Sequence, residues 1–70
     1  MSTATHETNR EIAIYYIATA LGIPVADVSG ELKIGQWARY ITSSIHFRTG
    51  LDITVLDFGN VTAGDILKQL

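Results

Sequence analysis

The chain has 70 residues, of which 47% are apolar and 17% charged, with a formal charge of -2 and no cysteine. A chain this short buries only about 60% of the surface its unfolded form exposes, which excludes a catalytic cleft with a deep interior. The apolar content excludes a disordered segment, the missing cysteines exclude a disulfide frame or a thiolate metal site, and no apolar run approaches the roughly 20 residues that cross a bilayer.

Residues 1–7, Met1 to Glu7, form a polar tail without the charged-then-apolar order of a secretion signal, so a cytoplasmic protein is expected. Residues 8–70 form one domain. Thr8 with Glu11 three positions on makes a capping box, in which hydroxyl and carboxylate each satisfy a backbone N–H that the first helical turn orphans. The first helix runs to about Leu21. Its stripe is Ile12, Tyr16 and Ala20 with Ala13, Ile17 and Leu21 beside them, widened by Ile14, Tyr15 and Ala18. Gly22 and Pro24 end it.

Pro24 to Lys33 reads as a long loop pinned by Val25, Val28 and Leu32, with one short helical turn at Ala26 to Val28. A second helix spans Gly35 or Gln36 to Thr49, its core face aromatic-rich with Trp37, Tyr40, Ile41, Ser44 and Ile45, and Gly50 stops it. Leu51 to Phe58 alternates apolar and polar residues like a short strand. With no second strand to pair with, it is expected as an extended or one-turn segment laid over the helices. Thr62 with Asp65 repeats the capping box, Val61 staples onto Ile66, and Ile66, Leu67 and Leu70 give the last helix its inward face. The fold class is all-α, a small three- or four-helix bundle with a long loop between its first two main helices.

The order of these pieces resembles the carrier-protein fold of fatty acid, polyketide and nonribosomal peptide synthesis over almost the whole of residues 8–70. Ala20-Leu21-Gly22-Ile23-Pro24-Val25-Ala26-Asp27-Val28 is similar to the end of a carrier's first helix and the anchor after it. Leu32-Lys33-Ile34-Gly35-Gln36-Trp37 lines up with a Leu-Gly-Ile-Asp-Ser-Leu type motif. Thr49-Gly50-Leu51-Asp52-Ile53 and Val61-Thr62-Ala63-Gly64-Asp65-Ile66-Leu67 match the segment after the second helix and the start of the last one.

What the resemblance implies for function is altered by two departures. In a carrier the serine at the start of the second helix receives phosphopantetheine, whose phosphate sits near a helix N-terminus. Here the matching position is Gln36, or Gly35 if the register slips by one, and neither has a hydroxyl. No phosphopantetheine or other cofactor is therefore expected. Carriers also present an acidic second helix to partner enzymes, whereas residues 32–51 hold Lys33, Arg39, His46 and Arg48 and no acid. That pattern is either a solvated face that lacks acids or a docking face for an acidic protein partner.

Trp37 either closes the top of the bundle as core or stands out as an aromatic anchor at an interface. Tyr15, Tyr16, Tyr40 and Phe47 read as core and rim rather than a cofactor box, with Phe47 off the main stripe. His6 and His46 have no further ligands at metal spacing. Ser43, Ser44 and His46 lack an orienting acid, so no enzyme activity is expected. The acidic balance disfavours nucleic acid, and no glycine-rich phosphate loop occurs. The expected function is a non-catalytic docking or scaffolding domain for a biosynthetic enzyme or synthase. Its binding surface would be Gln36, Trp37, Arg39, Tyr40, Ser43, Phe47 and Arg48. Two alternatives stand beside it: a carrier that holds its cargo at Ser43 or Ser44 or non-covalently, and a helical adaptor that self-associates, as a homodimer for instance.

Overall fold

The computed structural model describes residues 8–70; the expected tail at residues 1–7, with His6, lies outside the described residues. Thr8 caps α1 (Asn9–Leu21) as expected. Its hydroxyl accepts the Glu11 N–H at 3.1 Å while its own N–H donates to the Glu11 carboxylate at 3.1 Å. Gly22 closes the helix in a left-handed conformation. Ala13, Ile17 and Ala18 are buried, and Ile12, Ile14, Tyr16, Ala20 and Leu21 are half-buried around them. So wide an apolar arc lets α1 contact both other helices. Tyr15, expected to widen that arc, instead lies 56% exposed.

A single 3-10 turn, Val25–Asp27, interrupts the loop one residue before the expected place. Val28 and Leu32 pack against the core, but Val25 is more than half exposed and does not pin the loop. A second 3-10 turn, Gly35–Trp37, leads directly into α2 (Ala38–Thr49), which ends on Gly50.

α2 turns Ile41 and Ile45 inward as expected, but its aromatic residues lie off the core face. Its buried stripe is Ile34, Ala38, Ile41 and Ile45, each 2% exposed or less. These positions recur at intervals of four, three and four, as one helix face requires. Trp37 and Tyr40, expected on the aromatic core face, point away from it at 41% and 51% exposure. The core of a small domain is filled here by Ile17, Ile34, Ile41, Ile45 and Ile66, and close-packed interiors admit an extra ring only at the cost of strain.

Between Leu51 and Val55 no helix or turn forms, and no strand occurs among the described residues. Ile53 and Val55 rest on the core. The segment is held by Gln69, whose side-chain amide accepts the Thr54 N–H at 2.9 Å and donates to the Thr54 carbonyl at 2.7 Å. The turn comes later: Asp57 accepts the Gly59 N–H at 2.9 Å and the Asn60 side-chain amide at 2.8 Å.

The last helix, α3 (Ala63–Leu67), is short and carries the expected capping box between Thr62 and Asp65. Val61, Ile66 and Leu67 join the core and Leu70 packs on its margin. One feature has no counterpart in the expectations. Lys33 and Thr62 form an isolated antiparallel bridge, with Ile34 N–H donating to the Val61 carbonyl at 3.2 Å and Ala63 N–H to the Leu32 carbonyl at 2.8 Å. Gly64 N–H extends the bridge to the Gly30 carbonyl at 2.9 Å. The long loop is thereby sewn to the start of α3.

Candidate functional site

The residues expected to bind a partner do not share one side of α2: Arg48, three after Ile45 and seven after Ile41, continues the spacing of the buried stripe at the helix end, and Trp37, three after Ile34, lies beside that stripe. Gln36, Tyr40, Ser43 and Phe47 are spaced four, three and four apart, offset by two from the buried stripe, which places them opposite the core. They are exposed, as are Trp37, Arg39 and Arg48. Phe47 projects furthest, at 87% exposure. Backbone geometry thus places the rings of Tyr40 and Phe47 on the solvent side of an acid-free helix.

The start of α2 is built around Gly35. Its φ of 48° is left-handed, a conformation that costs a residue with a Cβ roughly 1–2 kcal/mol. Nothing stands within 4 Å of where that Cβ would be, so the constraint is in the backbone and not in crowding. A serine or acid at position 35 would be strained. Gln36 follows, exposed, in the second 3-10 turn, and no side chain caps that turn or α2.

The charges on this face are already engaged in part. The Arg39 guanidinium lies over the Phe58 ring, 4.8 Å from its centroid, a cation–π contact that ties the 57–60 turn to α2. His46 Nδ1 sits 3.0 Å from Asp52 Oδ1 and 3.2 Å from the Leu51 carbonyl. His46 and Arg48 stand in the last turn of α2, where cations also favour the helix dipole. Local helix stability therefore accounts for part of the basic character. Sequence reasoning did not connect Phe58 with Arg39, because pairs so far apart in the chain leave no periodic signal.

Ser43 is exposed and Ser44 half-buried. Both lie inside the helix, where backbone N–H groups are already bonded and none is left to receive a phosphate. Among the described residues no group of three His, Asp or Glu side chains comes together as metal ligands, and no helix is long and apolar enough to cross a membrane.

A groove of about 370 Å³ lies away from α2, between the 54–60 segment and α3, walled by Val55, Leu56, Asp57, Asp65 and Lys68 among others. Its carboxylates are spoken for. Asp57 is held by the Asn60 amide and the Gly59 N–H, and Asp65 by the Thr62 N–H with Lys68 Nζ 3.6 Å away. These bonds lower both carboxyl pKa values below the ordinary aspartate range, through the Asn60 side chain first for Asp57 and the Thr62 backbone first for Asp65. Glu11 is lowered too, by the Thr8 N–H and hydroxyl.

The sign of the pH dependence follows from linkage. A carboxylate with a depressed folded-state pKa contributes stability that is present above its unfolded pKa and lost as pH falls through the folded one. The melting temperature should hold near neutrality and fall as pH drops below about 4. Replacing Asp65 by asparagine, which keeps an acceptor for the Thr62 N–H but cannot titrate, should flatten that acid limb; a limb of unchanged slope would show that the Asp65 cap does not titrate with folding. No protein family, curated protein or solved structure matches this chain.

Proposed function

We propose that the domain is a carrier-like, non-catalytic docking element that binds an acidic surface of a biosynthetic enzyme or synthase in fatty acid, polyketide or nonribosomal peptide production. The observation that carries this reading is the double periodicity of α2. One stripe, Ile34, Ala38, Ile41 and Ile45, is buried, and a second, Gln36, Tyr40, Ser43 and Phe47, faces solvent. A helix that needed only solvation would place polar residues along the whole of that stripe, and Gln36 and Ser43 make up only half of it. Aromatic side chains and arginine are instead the residues enriched at protein interfaces and among their dominant contacts. Tyr40 and Phe47 stand there, Trp37, Arg39 and Arg48 are exposed to its sides, and residues 32–51 contain no acid to repel a carboxylate-rich partner.

The left-handed backbone at Gly35 supports the non-catalytic part of the reading. The position that a carrier would use for attachment is filled by residues without a hydroxyl, on a backbone shaped for glycine. Intact mass after incubation with coenzyme A and a broad-specificity phosphopantetheinyl transferase tests this directly. The expected result is an unchanged mass. A phosphopantetheine increment, mapped to Ser43 or Ser44, would overturn the reading in favour of an atypical carrier.

A further inference from the structure

The outward side of α2 carries two rows of different chemistry. A helix turns about 100° per residue, so residues seven apart share nearly one line. Arg39 and His46 make one such line and Tyr40 and Phe47 the other, with Ser43 between them and Ile41 and Ile45 on the buried side. Arg39, Tyr40, Ser43, His46 and Phe47 are all exposed. Tyr40, Ser43, Ser44 and Phe47 stand at i, i+3, i+4 and i+7, the outline of a hole that receives one knob from a facing helix. Its long ends are aromatic rings and its waist is two small serines.

The spacing selects the shape of what lies there. Each row repeats after about 10.5 Å along the helix axis. A second helix packed alongside presents a side chain to one line at the same interval, every two turns. An extended chain does not, since its like-facing side chains fall about 6.7 and 13.4 Å apart, out of step with both rows.

The charges select the sign. Residues 32–51 hold no acid. Arg39 stacks the face of its guanidinium on Phe58, an arrangement that leaves the in-plane N–H donors directed to the sides, where a carboxylate binds. His46 Nδ1 is taken by Asp52 and the Leu51 carbonyl, so Arg39 is the cation of this row that a partner meets.

We infer, on the docking reading of this face, that the partner's docking element is an acidic amphipathic α-helix laid along α2, with an apolar side chain seated between Tyr40 and Phe47 and a carboxylate on Arg39. A second copy of the chain does not fit: its α2 brings no carboxylate to Arg39, and packed antiparallel it sets the basic row against itself.

Peptides of about 20 residues, long enough for an isolated helix, test the occupant. Two share one composition of leucine, glutamate and alanine. In the first, leucine and glutamate recur every seven residues in adjacent rows; in the second their order is scrambled. A third carries lysine in place of glutamate in the ordered pattern. Titrated into the isotope-labelled domain, the ordered acidic peptide should shift the amide resonances of residues 39–47 and bind about tenfold tighter than the scrambled one. Ser43→Arg fills the hole at an exposed position, and should weaken that binding about tenfold despite the added cation, with unchanged helical circular dichroism. Equal binding of the two acidic peptides to α2, or undiminished binding by Ser43→Arg, would overturn the helical occupant and leave the docking reading standing. A lysine peptide that binds as tightly, or acidic peptides that leave the α2 resonances unmoved, would overturn both. A dimer of the domain alone that Ser43→Arg dissociates would seat a second copy on α2 and overturn the acidic helix.

Discussion

Replacing Gly64 by alanine is expected to destabilise the domain by about 2 kcal/mol, the middle of the range for overpacking a close contact. A Cβ at this position would stand 2.7 Å from the Gly30 carbonyl oxygen, 3.2 Å from its Cα and 3.3 Å from its carbonyl carbon. All three are backbone atoms that cannot rotate aside. The loop cannot withdraw either, because the Gly30 carbonyl accepts the Gly64 N–H and the Lys33–Thr62 bridge lies alongside. Alanine's better helix propensity returns at most about 1 kcal/mol. In a domain of this size the net loss of about 1–2 kcal/mol should lower the melting temperature by about 4–16 °C. Gly30→Ala is the control: its Cβ would meet Gly64 Cα at 3.8 Å, an ordinary contact, so its stability should stay within about 0.5 kcal/mol of wild type. Equal stability of the two variants in thermal melts would show that the loop and α3 do not approach this closely.

Ile41→Ala should be more damaging still. Ile41 is fully buried in the middle of the α2 stripe, and its truncation removes buried methyl groups and leaves a cavity, at about 2–5 kcal/mol. A chain of this length holds only about 3–10 kcal/mol in total. The variant should therefore lose a large share of its stability, with its urea midpoint well below that of wild type. Tyr40, one position earlier, is 51% exposed, and Tyr40→Ala should shift stability by about 0.5 kcal/mol or less. The contrast between neighbouring positions measures which face of α2 is core. If Tyr40→Ala were the costlier change, the aromatic face would be core and the docking reading would lose its surface.

The placement of the α2 aromatic residues marks where the sequence stopped being legible. The helix boundaries could be read because they are local. Thr8 with Glu11, Thr62 with Asp65, and the closing Gly22 and Gly50 act within a few residues of one another. The face of α2 was ambiguous because two stripes with helical spacing interleave on it, both containing large apolar residues. Periodicity alone cannot choose between Trp37 with Tyr40 and Ile34 with Ala38. The core chooses, since it closes around isoleucines contributed by every helix and by the turn before α2. The contacts that join the loops to the helices were invisible for a different reason. Gln69 on Thr54, Arg39 on Phe58 and Gly64 on Gly30 each join residues distant in sequence. No local propensity encodes such pairs.

At the candidate surface the structure adds exposure and contacts. The sequence pointed to Gln36, Trp37, Arg39, Tyr40, Ser43, Phe47 and Arg48, and all are exposed. It did not show that Arg39 already covers Phe58, which extends the surface toward the 57–60 turn. Nor did it show that Asp52 stands against His46 and tempers the positive charge at the end of α2.

The central claim is that the outward face of α2 docks an acidic protein surface, and Trp37, the chain's single tryptophan, reports on that face. Its fluorescence should be followed while the domain is titrated with an isolated synthase module that presents an acidic surface, for wild type, Phe47→Ala and the Arg39→Glu, Arg48→Glu pair. The account predicts a saturable blue shift that weakens at higher salt. Each variant should bind at least tenfold less tightly, a loss of about 1.4 kcal/mol. Unchanged emission on titration, or variants that bind as tightly as wild type, would contradict it.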